Sequence, residues 1–188
     1  MSKILISGYY GFANAGDEAM LTAIIESLRQ VEKNVELTVW SGNPEDTAAK
    51  HQVCSVYRFN PLGIIRAMKD SELIISGGGS LLQDVTSKRS LLYYLSIIGL
   101  GKFFGKKVML FAQGIGPIRA KWARKLTSLV CNEADLITVR DSESAAELIE
   151  MGVKPEKITV TADSVLSLNP VTKECGQYLL QEAGVDLT

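Results

Sequence analysis

Short apolar runs alternate with helical patterns along almost the whole chain of 188 residues. The strands predicted from these runs are Lys3–Ser7, Val35–Trp40, Val53–Val56, Glu72–Ser76, Lys107–Ala112, Asp135–Val139 and Ile158–Thr161. Apolar residues at i, i+3, i+4 spacing, such as Leu126, Leu129 and Val130, indicate the helices between them. Strands that alternate with helices predict βαβ crossovers, and therefore an α/β fold with a doubly wound, mostly parallel sheet.

The end of the chain departs from this alternation. Residues 1–168 read as one domain, whereas 169–188 begin with Asn169-Pro170 and contain no further strand pattern. We expect 169–188 to form either a C-terminal helix packed on the domain or a linker to a second domain. The sequence leaves both alternatives open.

Composition excludes several classes of protein. Hydrophobic residues make up 46% and charged residues 22%, which is typical of a globular domain, and a net charge of −1 argues against nucleic acid as a partner. The longest apolar run, 91–100, has about half of the ~20 residues that a membrane span needs. We find no signal-peptide pattern, and the three cysteines have neither zinc nor disulfide spacing. We therefore expect a cytoplasmic protein without a bound metal.

A glycine-rich segment, Gly8–Ala19, joins the first strand to the first helix. Free N–H groups at a helix N-terminus favour an anion, but Asp17 and Glu18 already place two carboxylates there. They would repel a phosphate unless a cation or an alcohol-bearing ligand lies between. The glycine spacing matches neither the dinucleotide fingerprint nor a Walker loop. An ordinary turn, with the helix capped by Asn14 or Asp17, explains the segment equally well.

Other unusual loops also follow predicted strands. Ligands of parallel α/β sheets bind outside the carboxyl ends of the strands, near the point where strand order reverses. We therefore expect the strand-end loops to converge on one edge of the sheet. After the first loop, these are Gly77–Ser80, Gln113–Pro117, Arg140-Asp141 and Ala162-Asp163.

With these loops in order, the chain resembles the N-terminal half of the polysaccharide pyruvyl transferases of the CsaB type. The resemblance extends from Lys3 to about Leu168. Each motif is weak alone, but five motifs in the same order are specific. The first motif is Gly8-Tyr9-Tyr10-Gly11-Phe12 together with Asn14 and Gly16-Asp17-Glu18-Ala19. The other four are Gly77-Gly78-Gly79-Ser80-Leu81-Leu82-Gln83-Asp84, Gln113-Gly114-Ile115-Gly116-Pro117, Val139-Arg140-Asp141 and Ala162-Asp163.

The resemblance implies an enzyme of two Rossmann-like domains, similar to GT-B glycosyltransferases. Such an enzyme transfers the pyruvyl group of phosphoenolpyruvate, a donor substrate rather than a cofactor, onto a sugar as a ketal. The acceptor implied is an N-acetylmannosamine unit of a lipid-linked or polymeric cell-wall precursor, and in this family such ketals anchor S-layer proteins. A lipid-linked acceptor implies peripheral contact with the inner face of the membrane.

Family members carry a second domain of similar size, which this chain lacks. We expect that domain to close the active site and to hold the general acid. The chain alone should then be inactive.

Three residues are the predicted catalytic groups. Arg140 suits a carboxylate or phosphate because its guanidinium binds such groups bidentately, although an ion pair with Asp141 or Asp163 is an equally good interpretation. Asp17 and Glu18 suit sugar hydroxyls or the role of general base, and we favour such a role for one of the two.

A larger set is predicted to bind substrate. Of the two adjacent tyrosines in the first loop, one should stack on a sugar and the other pack on the first helix. Gln113 could equally tie its loop to a neighbouring loop. The predicted binding residues are Tyr10, Asn14, Gly77, Gly78, Gly79, Ser80, Gln83, Gln113, Gly114 and Asp163. Lys88 and Arg89 are second choices for anion binding. The single histidine, His51, is expected at the surface, away from the loop edge.

Two other functions fit the same residues. One is half of a GT-B glycosyltransferase that uses a nucleotide sugar. The other is a non-catalytic sugar-binding module in which the glycine-rich segments serve only as turns.

Overall fold

The computed structural model of the chain describes residues 2–85, 87–170 and 172–185. The strands are β1 Lys3–Ser7, β2 Glu36–Ser41, β3 Cys54–Tyr57, β4 Leu73–Ser76, β5 Gly79–Leu82, β6 Lys107–Ile115, β7 Leu136–Val139 and β8 Ile158–Val160. The α-helices are α1 Ala15–Val31, α2 Pro44–His51, α3 Pro61–Asp70, α4 Lys88–Phe103, α5 Lys121–Glu133, α6 Ser142–Glu150 and α7 Lys173–Glu182. Short 3-10 helices cover Pro155–Lys157 and Ser164–Ser167.

All strand pairs of the sheet are parallel. The order is β3-β2-β1-β4-β6-β7-β8, and β5 pairs with the carboxyl-terminal part of β6. This confirms the predicted α/β, Rossmann-like, doubly wound sheet. The strand order reverses between β1 and β4, so the loops that follow these two strands flank the place where such folds bind ligands.

The core lies on both faces of the sheet. Side chains of a strand alternate between faces, so neighbours on β1 belong to different hydrophobic clusters. Ile6 packs with Ile24 of α1 on one face, whereas Leu5 belongs with Ile98 of α4 to the larger cluster on the other. Both faces of the central strands are therefore buried, which explains why their sequences read as continuous apolar runs.

Besides the two short 3-10 helices, one α-helix and one strand among the described residues were not predicted. Helix α2 is short and polar, and the sequence indicates only a turn at its start; Asn43 caps it by accepting from the Asp46 amide, and Pro44 opens it. Strand β5 begins inside the segment predicted as a loop, Gly77–Ser80, and continues to Leu82. It forms because β6 continues to Ile115, beyond its predicted end, and offers a strand edge. Gln113 and Gly114 are therefore strand residues.

A bulge interrupts β6 before these two residues. The pairing register with β7 shifts between Leu110 and Gln113, and Ala112 has a left-handed φ of 46°. Its amide donates to Thr138 Oγ1 at 2.7 Å, so the displaced backbone group keeps a hydrogen bond. Non-glycine residues in this conformation are strained and are found near functional sites.

Asp135, just before β7, connects the start of β6 to α4. It accepts hydrogen bonds from Lys102, the Val108 amide and Lys107, at 2.7, 2.9 and 3.2 Å. Burial alone would raise the pKa of Asp135, but these three hydrogen bonds outweigh it and hold the pKa at about 2.

We expect Asp135→Asn to lower the free energy of unfolding by about 1 kcal/mol at pH 7, a value discounted for solvent screening. The lowered pKa means that Asp135 stabilises the fold above its unfolded-state pKa near 4, and that this contribution is lost as the pH falls towards 2. Urea unfolding at pH 7 and pH 2.5 measures both. Glu36→Gln, which removes an exposed ion pair with Lys3, is the control and should change little. An equal effect of Asp135→Asn at both pH values would contradict this prediction.

The C-terminal segment contains α7, which buries none of its described side chains. Val171 and 186–188 lie outside the described residues, and the domain boundary at 168 stays a prediction. Within the described ranges, no helix is long and apolar enough to cross a membrane.

Candidate active site

Two adjoining depressions lie at the carboxyl edge of the sheet and share Ser80. The first, of about 430 Å³, is lined by Tyr9, Asn14, Asp17, Gln83 and Tyr94 among others. The second, of about 610 Å³, is lined by residues that include Gly114, Arg140 and Asp141. The predicted convergence of the strand-end loops is therefore present, because residues after β1, β5, β6 and β7 meet there.

Asn14 rather than Asp17 caps α1. The Asn14 side chain accepts from the amides of Gly16 and Asp17 at 3.0 and 3.4 Å. Asp17 is thus free of a capping role, and its half-buried carboxyl lines the first depression. Burial raises the pKa of Asp17, and the adjacent Glu18 charge raises it further. A carboxylate with a raised pKa is a better proton acceptor than an ordinary one.

Glu18 is turned towards the protein. Its carboxylate accepts from the Gly11 amide at 2.8 Å, and its second oxygen lies 3.5 Å from His51 Nε2. Glu18 lines neither depression, so the structure separates the two predicted carboxylates: Asp17 faces the depression and Glu18 fixes the first loop. His51 is likewise not at the open surface, since 10% of its side chain is exposed and it ends α2 beside this loop.

The two tyrosines of the first loop point in opposite directions. Tyr10 is completely buried, so its ring cannot stack on a ligand in this structure. Tyr9 is 42% exposed, stacks on Phe12 with ring centroids 4.4 Å apart, and lines the first depression. The stacking role expected for Tyr10 therefore suits Tyr9.

Two glycines, Gly8 after β1 and Gly77 after β4, make room for Tyr10. A Cβ on Gly77 would lie 2.1 Å from the Tyr10 hydroxyl, and one on Gly8 would lie 2.3 Å from the Tyr10 ring. Gly77, Gly78 and Gly79 are all buried, and the neighbouring Ser80 is exposed. Ser80 is therefore the residue of this segment that presents a side chain to a ligand.

Gln113 is fully buried beneath this segment. Its side-chain nitrogen donates to the carbonyl oxygen of Ser76, at 3.1 Å, and to that of Gly77. Its side-chain oxygen has no partner among the described residues. Gln113 thus holds the end of β4 against β6, the structural role that the sequence analysis gave as the alternative to substrate binding. It lines neither depression.

Arg140 is held between two acids at the edge of the second depression. Its guanidinium lies 3.2 Å from Asp163 and 3.5 Å from Asp141, and it donates to Ser80 Oγ at 3.3 Å. Both ion pairs considered from the sequence are present. About a third of the side chain, 34%, remains exposed, so Arg140 is fixed in position and still open to a ligand.

Gly114 is needed for this position of Arg140, because a Cβ there would lie 2.7–2.8 Å from the guanidinium. We expect Gly114→Ala to displace the Arg140 side chain, and to weaken anion binding at this site about tenfold, with a small effect on the melting temperature. Titration with phosphoenolpyruvate and a thermal melt test this. Gly176→Ala, where no atom lies within 4 Å, is the control. Unchanged binding by Gly114→Ala would contradict this role for Gly114.

Gln83 and Asp84 belong to the segment after β5. Gln83 lines the first depression and packs against Gly116, where a Cβ would lie 2.7 Å from it. Asp84 accepts from the amides of Arg119 and Ala120 at 2.9–3.0 Å, just before α5, a helix that has no side-chain cap of its own. These hydrogen bonds lower the pKa of Asp84. The segment is therefore anchored to α5.

Arg58 is a residue that sequence reasoning missed. It follows β3 at the same edge of the sheet, is 6% exposed, and donates to the Gly8 carbonyl oxygen at 3.3 Å. Its guanidinium also donates to the hydroxyl of Tyr94, at 3.4 Å, which lines the first depression. The signal was its position after a strand, since the rule that selected the other loops applies there too.

No group of three or more His, Cys, Asp or Glu among the described residues is arranged to hold a metal ion.

The sequence matches the family model for polysaccharide pyruvyl transferase over residues 14–175, most of the chain. The chain belongs to the polysaccharide pyruvyl transferase family. The match includes every predicted site residue except Tyr10, which precedes it. The family is one of transferases. No curated protein sequence matches the chain.

Solved structures share the fold at low identity. HepE of Anabaena in complex with UDP-glucose is 14% identical, with a TM-score of 0.63 over 98% of this chain and 50% of that one. A UDP-GlcNAc 2-epimerase from Neisseria meningitidis is 13% identical, with a TM-score of 0.56 over 98% and 52%. A glycosyltransferase from Rickettsia africae is 11% identical, with a TM-score of 0.55 over 98% and 50%. The chain thus has the fold of one half of these GT-B proteins, and it spans about half their length.

Proposed function

We propose that this chain supplies one half of the active site of a pyruvyl transferase, which moves the pyruvyl group of phosphoenolpyruvate onto a sugar. One observation carries the proposal: in a chain of this family, a fixed arginine and a carboxylate with a raised pKa line adjoining depressions that share Ser80. The arginine suits the anionic donor, and the carboxylate suits the alcohol of the acceptor.

Arg140 would bind the donor. Phosphoenolpyruvate carries a carboxylate and a phosphate, and a guanidinium binds either group bidentately. Asp141 and Asp163 hold the Arg140 side chain, so less conformational entropy is lost when the donor binds. Ser80 Oγ, which already accepts from Arg140, supplies a hydroxyl beside the same anion.

Asp17 would act as the base for the acceptor. Addition of a proton to the methylene carbon of phosphoenolpyruvate gives an oxocarbenium-like centre at the neighbouring carbon. A sugar hydroxyl attacks that carbon while Asp17 takes its proton. A second hydroxyl then attacks the same carbon as the C–O bond to phosphate breaks, and its proton leaves with the phosphate, which completes the ketal. Asn14 and Gln83 offer donors and acceptors to the sugar, and Tyr9 offers a ring face.

The general acid is assigned to a second domain, because His51 is packed beside Glu18 and lines neither depression. We further propose that the acceptor is N-acetylmannosamine in a lipid-linked or polymeric cell-wall precursor, that its ketal serves S-layer anchoring, and that the protein works in the cytoplasm at the inner face of the membrane. The chain alone should not release phosphate from phosphoenolpyruvate when acceptor is present.

Calorimetry distinguishes this function from the alternative suggested by the fold, a GT-B glycosyltransferase half. We expect the chain to bind phosphoenolpyruvate, and Asp17→Asn to leave that binding unchanged while it weakens binding of N-acetylmannosamine glycosides. Binding of UDP-glucose or UDP-GlcNAc in place of phosphoenolpyruvate would support the glycosyltransferase. Binding of sugar alone would support a non-catalytic module. Release of phosphate by the isolated chain would refute its predicted inactivity.

A further inference from the structure

A third cavity, of about 340 Å³, opens between α3 and α4 and is separate from the two depressions. Its walls are apolar: Ile64 and Met68 come from α3, and Ile97 and Leu100 from α4. The residues with polar side-chain atoms that also line it are Trp40, Arg58, Tyr93 and Ser96. No Asp or Glu is among its lining residues.

Arg58 is buried there without an acidic partner. Among the described residues it forms no salt bridge, and its Nε has no hydrogen-bond partner. Aromatic rings surround the guanidinium, with centroids 4.6–5.9 Å away, and stabilise the cation. They are those of Tyr9, Phe12, Phe59, Tyr93 and Tyr94. A buried charge without a counter-charge remains costly, and a bound anion would offset that cost.

Two further donors in the cavity wall lack partners among the described residues. These are the indole N–H of Trp40, which is 1% exposed, and the hydroxyl of Tyr93. Burial raises the pKa of Tyr93, and the nearby Arg58 guanidinium offsets only part of that shift. Trp40 and Arg58 can only donate, so the group that would satisfy this cavity is one rich in acceptors.

The cavity is also too apolar for an inorganic anion alone. Its mouth carries large hydrophobic side chains that remain exposed: Phe59 at 60%, Leu100 at 41% and Ile65 at 38%. Apolar side chains exposed around an apolar cavity mark a place that a hydrocarbon group covers. The wall and the donors together fit a molecule with an anionic head and a hydrocarbon chain.

We propose that this cavity binds a phosphate ester of a hydrocarbon chain, with the phosphate at Arg58 and Trp40 and the chain between α3 and α4. A phosphate suits three donors better than a carboxylate because it has more acceptor oxygens. Arg58 bonds Tyr94, and Tyr9 and Tyr94 line the first depression, so the phosphate would lie beside the sugar-binding site. The cavity therefore holds the lipid phosphate of a lipid-linked acceptor, an assignment that rests on the proposed function.

The test uses the fluorescence of Trp40, which lines the cavity. Trp122→Phe removes the other tryptophan, which is 47% exposed on α5. In that background the chain is titrated with octyl phosphate below its micelle concentration, with octanol and with inorganic phosphate. We expect octyl phosphate to change the Trp40 fluorescence saturably. Octanol and inorganic phosphate should each bind at least tenfold more weakly. Equal binding of octanol or of inorganic phosphate would overturn the proposal.

Matched variants locate the site. Arg58→Gln should weaken octyl phosphate binding about tenfold or more, whereas Arg66→Gln, on the exposed side of α3, should leave it unchanged. Because loss of Arg58 can also disturb folding, a second pair places a negative charge on the surface of α3. Ile65→Asp lies at the cavity mouth and should weaken binding, and Leu62→Asp, exposed and outside the cavity, should not.

Equal effects within both pairs would overturn the proposed position. These titrations contain no phosphoenolpyruvate, and the donor titrations contain no amphiphile. Failure of this inference is therefore distinguishable from failure of the proposed function.

Discussion

Replacing Arg140 by Gln is expected to weaken phosphoenolpyruvate binding about 100-fold. The substitution removes the cation that faces the donor, and it also leaves Asp141 and Asp163 without their ion-pair partner. Two uncompensated carboxylates would then repel the trianionic donor. Loss of one hydrogen bond to a charged group costs about 1.5–3 kcal/mol, so this loss and the repulsion together account for about 100-fold. Isothermal titration of the chain with phosphoenolpyruvate measures the effect.

Two control variants separate charge from geometry. Arg140→Lys keeps the positive charge but loses the bidentate fork, so we expect about a tenfold loss of affinity. Arg66→Gln removes an exposed arginine that lines neither depression, and it should have no effect. If Arg140→Gln binds phosphoenolpyruvate as tightly as the parent chain, the proposed donor site is wrong.

Gly77→Ala is expected to destabilise the fold by about 2–3 kcal/mol, and Tyr10→Phe is expected to rescue most of that loss. The added Cβ would lie 2.1 Å from the Tyr10 hydroxyl in a fully buried position. Removal of the hydroxyl leaves the ring carbon at 3.3 Å and Ile24 at 3.1 Å, which small shifts can relieve. Tyr10→Phe alone should be neutral or stabilising, because its hydroxyl has no partner among the described residues.

Chemical unfolding of the two single variants and the double variant forms a thermodynamic cycle that measures this coupling. Gly99→Ala is the matched control, since no atom lies within 4 Å of a Cβ there and alanine favours helix α4. It should stabilise the chain by about 1 kcal/mol. Additive effects of Gly77→Ala and Tyr10→Phe would show that the hydroxyl is not what the glycine accommodates.

Most of the sheet could be predicted because its central strands, such as β1 and β4, are continuous apolar runs with both faces buried. The unpredicted elements lack that signal. Helix α2 is short and polar, so it has no apolar periodicity to detect. Strand β5 depends on a partner, because Gly79–Leu82 becomes a strand only where β6 extends past its predicted end. Such pairing between distant segments leaves little trace in local sequence.

The candidate site was predictable in place but not in the orientation of its side chains. The positions of Asn14, Asp17 and Arg140 follow from their loops. The burial of Tyr10 and the hydrogen bond of Glu18 to the Gly11 amide do not follow from the sequence. In each adjacent pair, Tyr9 with Tyr10 and Asp17 with Glu18, the sequence does not show which side chain faces the ligand. Arg58 was missed for a related reason: its aromatic partners come from three separate stretches of chain, and only the folded structure brings them together.

The hydrogen bonds of the Asp84 carboxylate offer a way to follow whether the edge that carries the candidate site is ordered. It accepts from two amides that precede α5, so these protons should exchange with deuterium only when Asp84 moves away from the start of that helix. Because the pKa of Asp84 is lowered, these hydrogen bonds to its carboxylate persist at neutral pH and weaken only in acid. Slower exchange at Arg119 and Ala120 on addition of a ligand would therefore report closure of this edge without any label on the ligand.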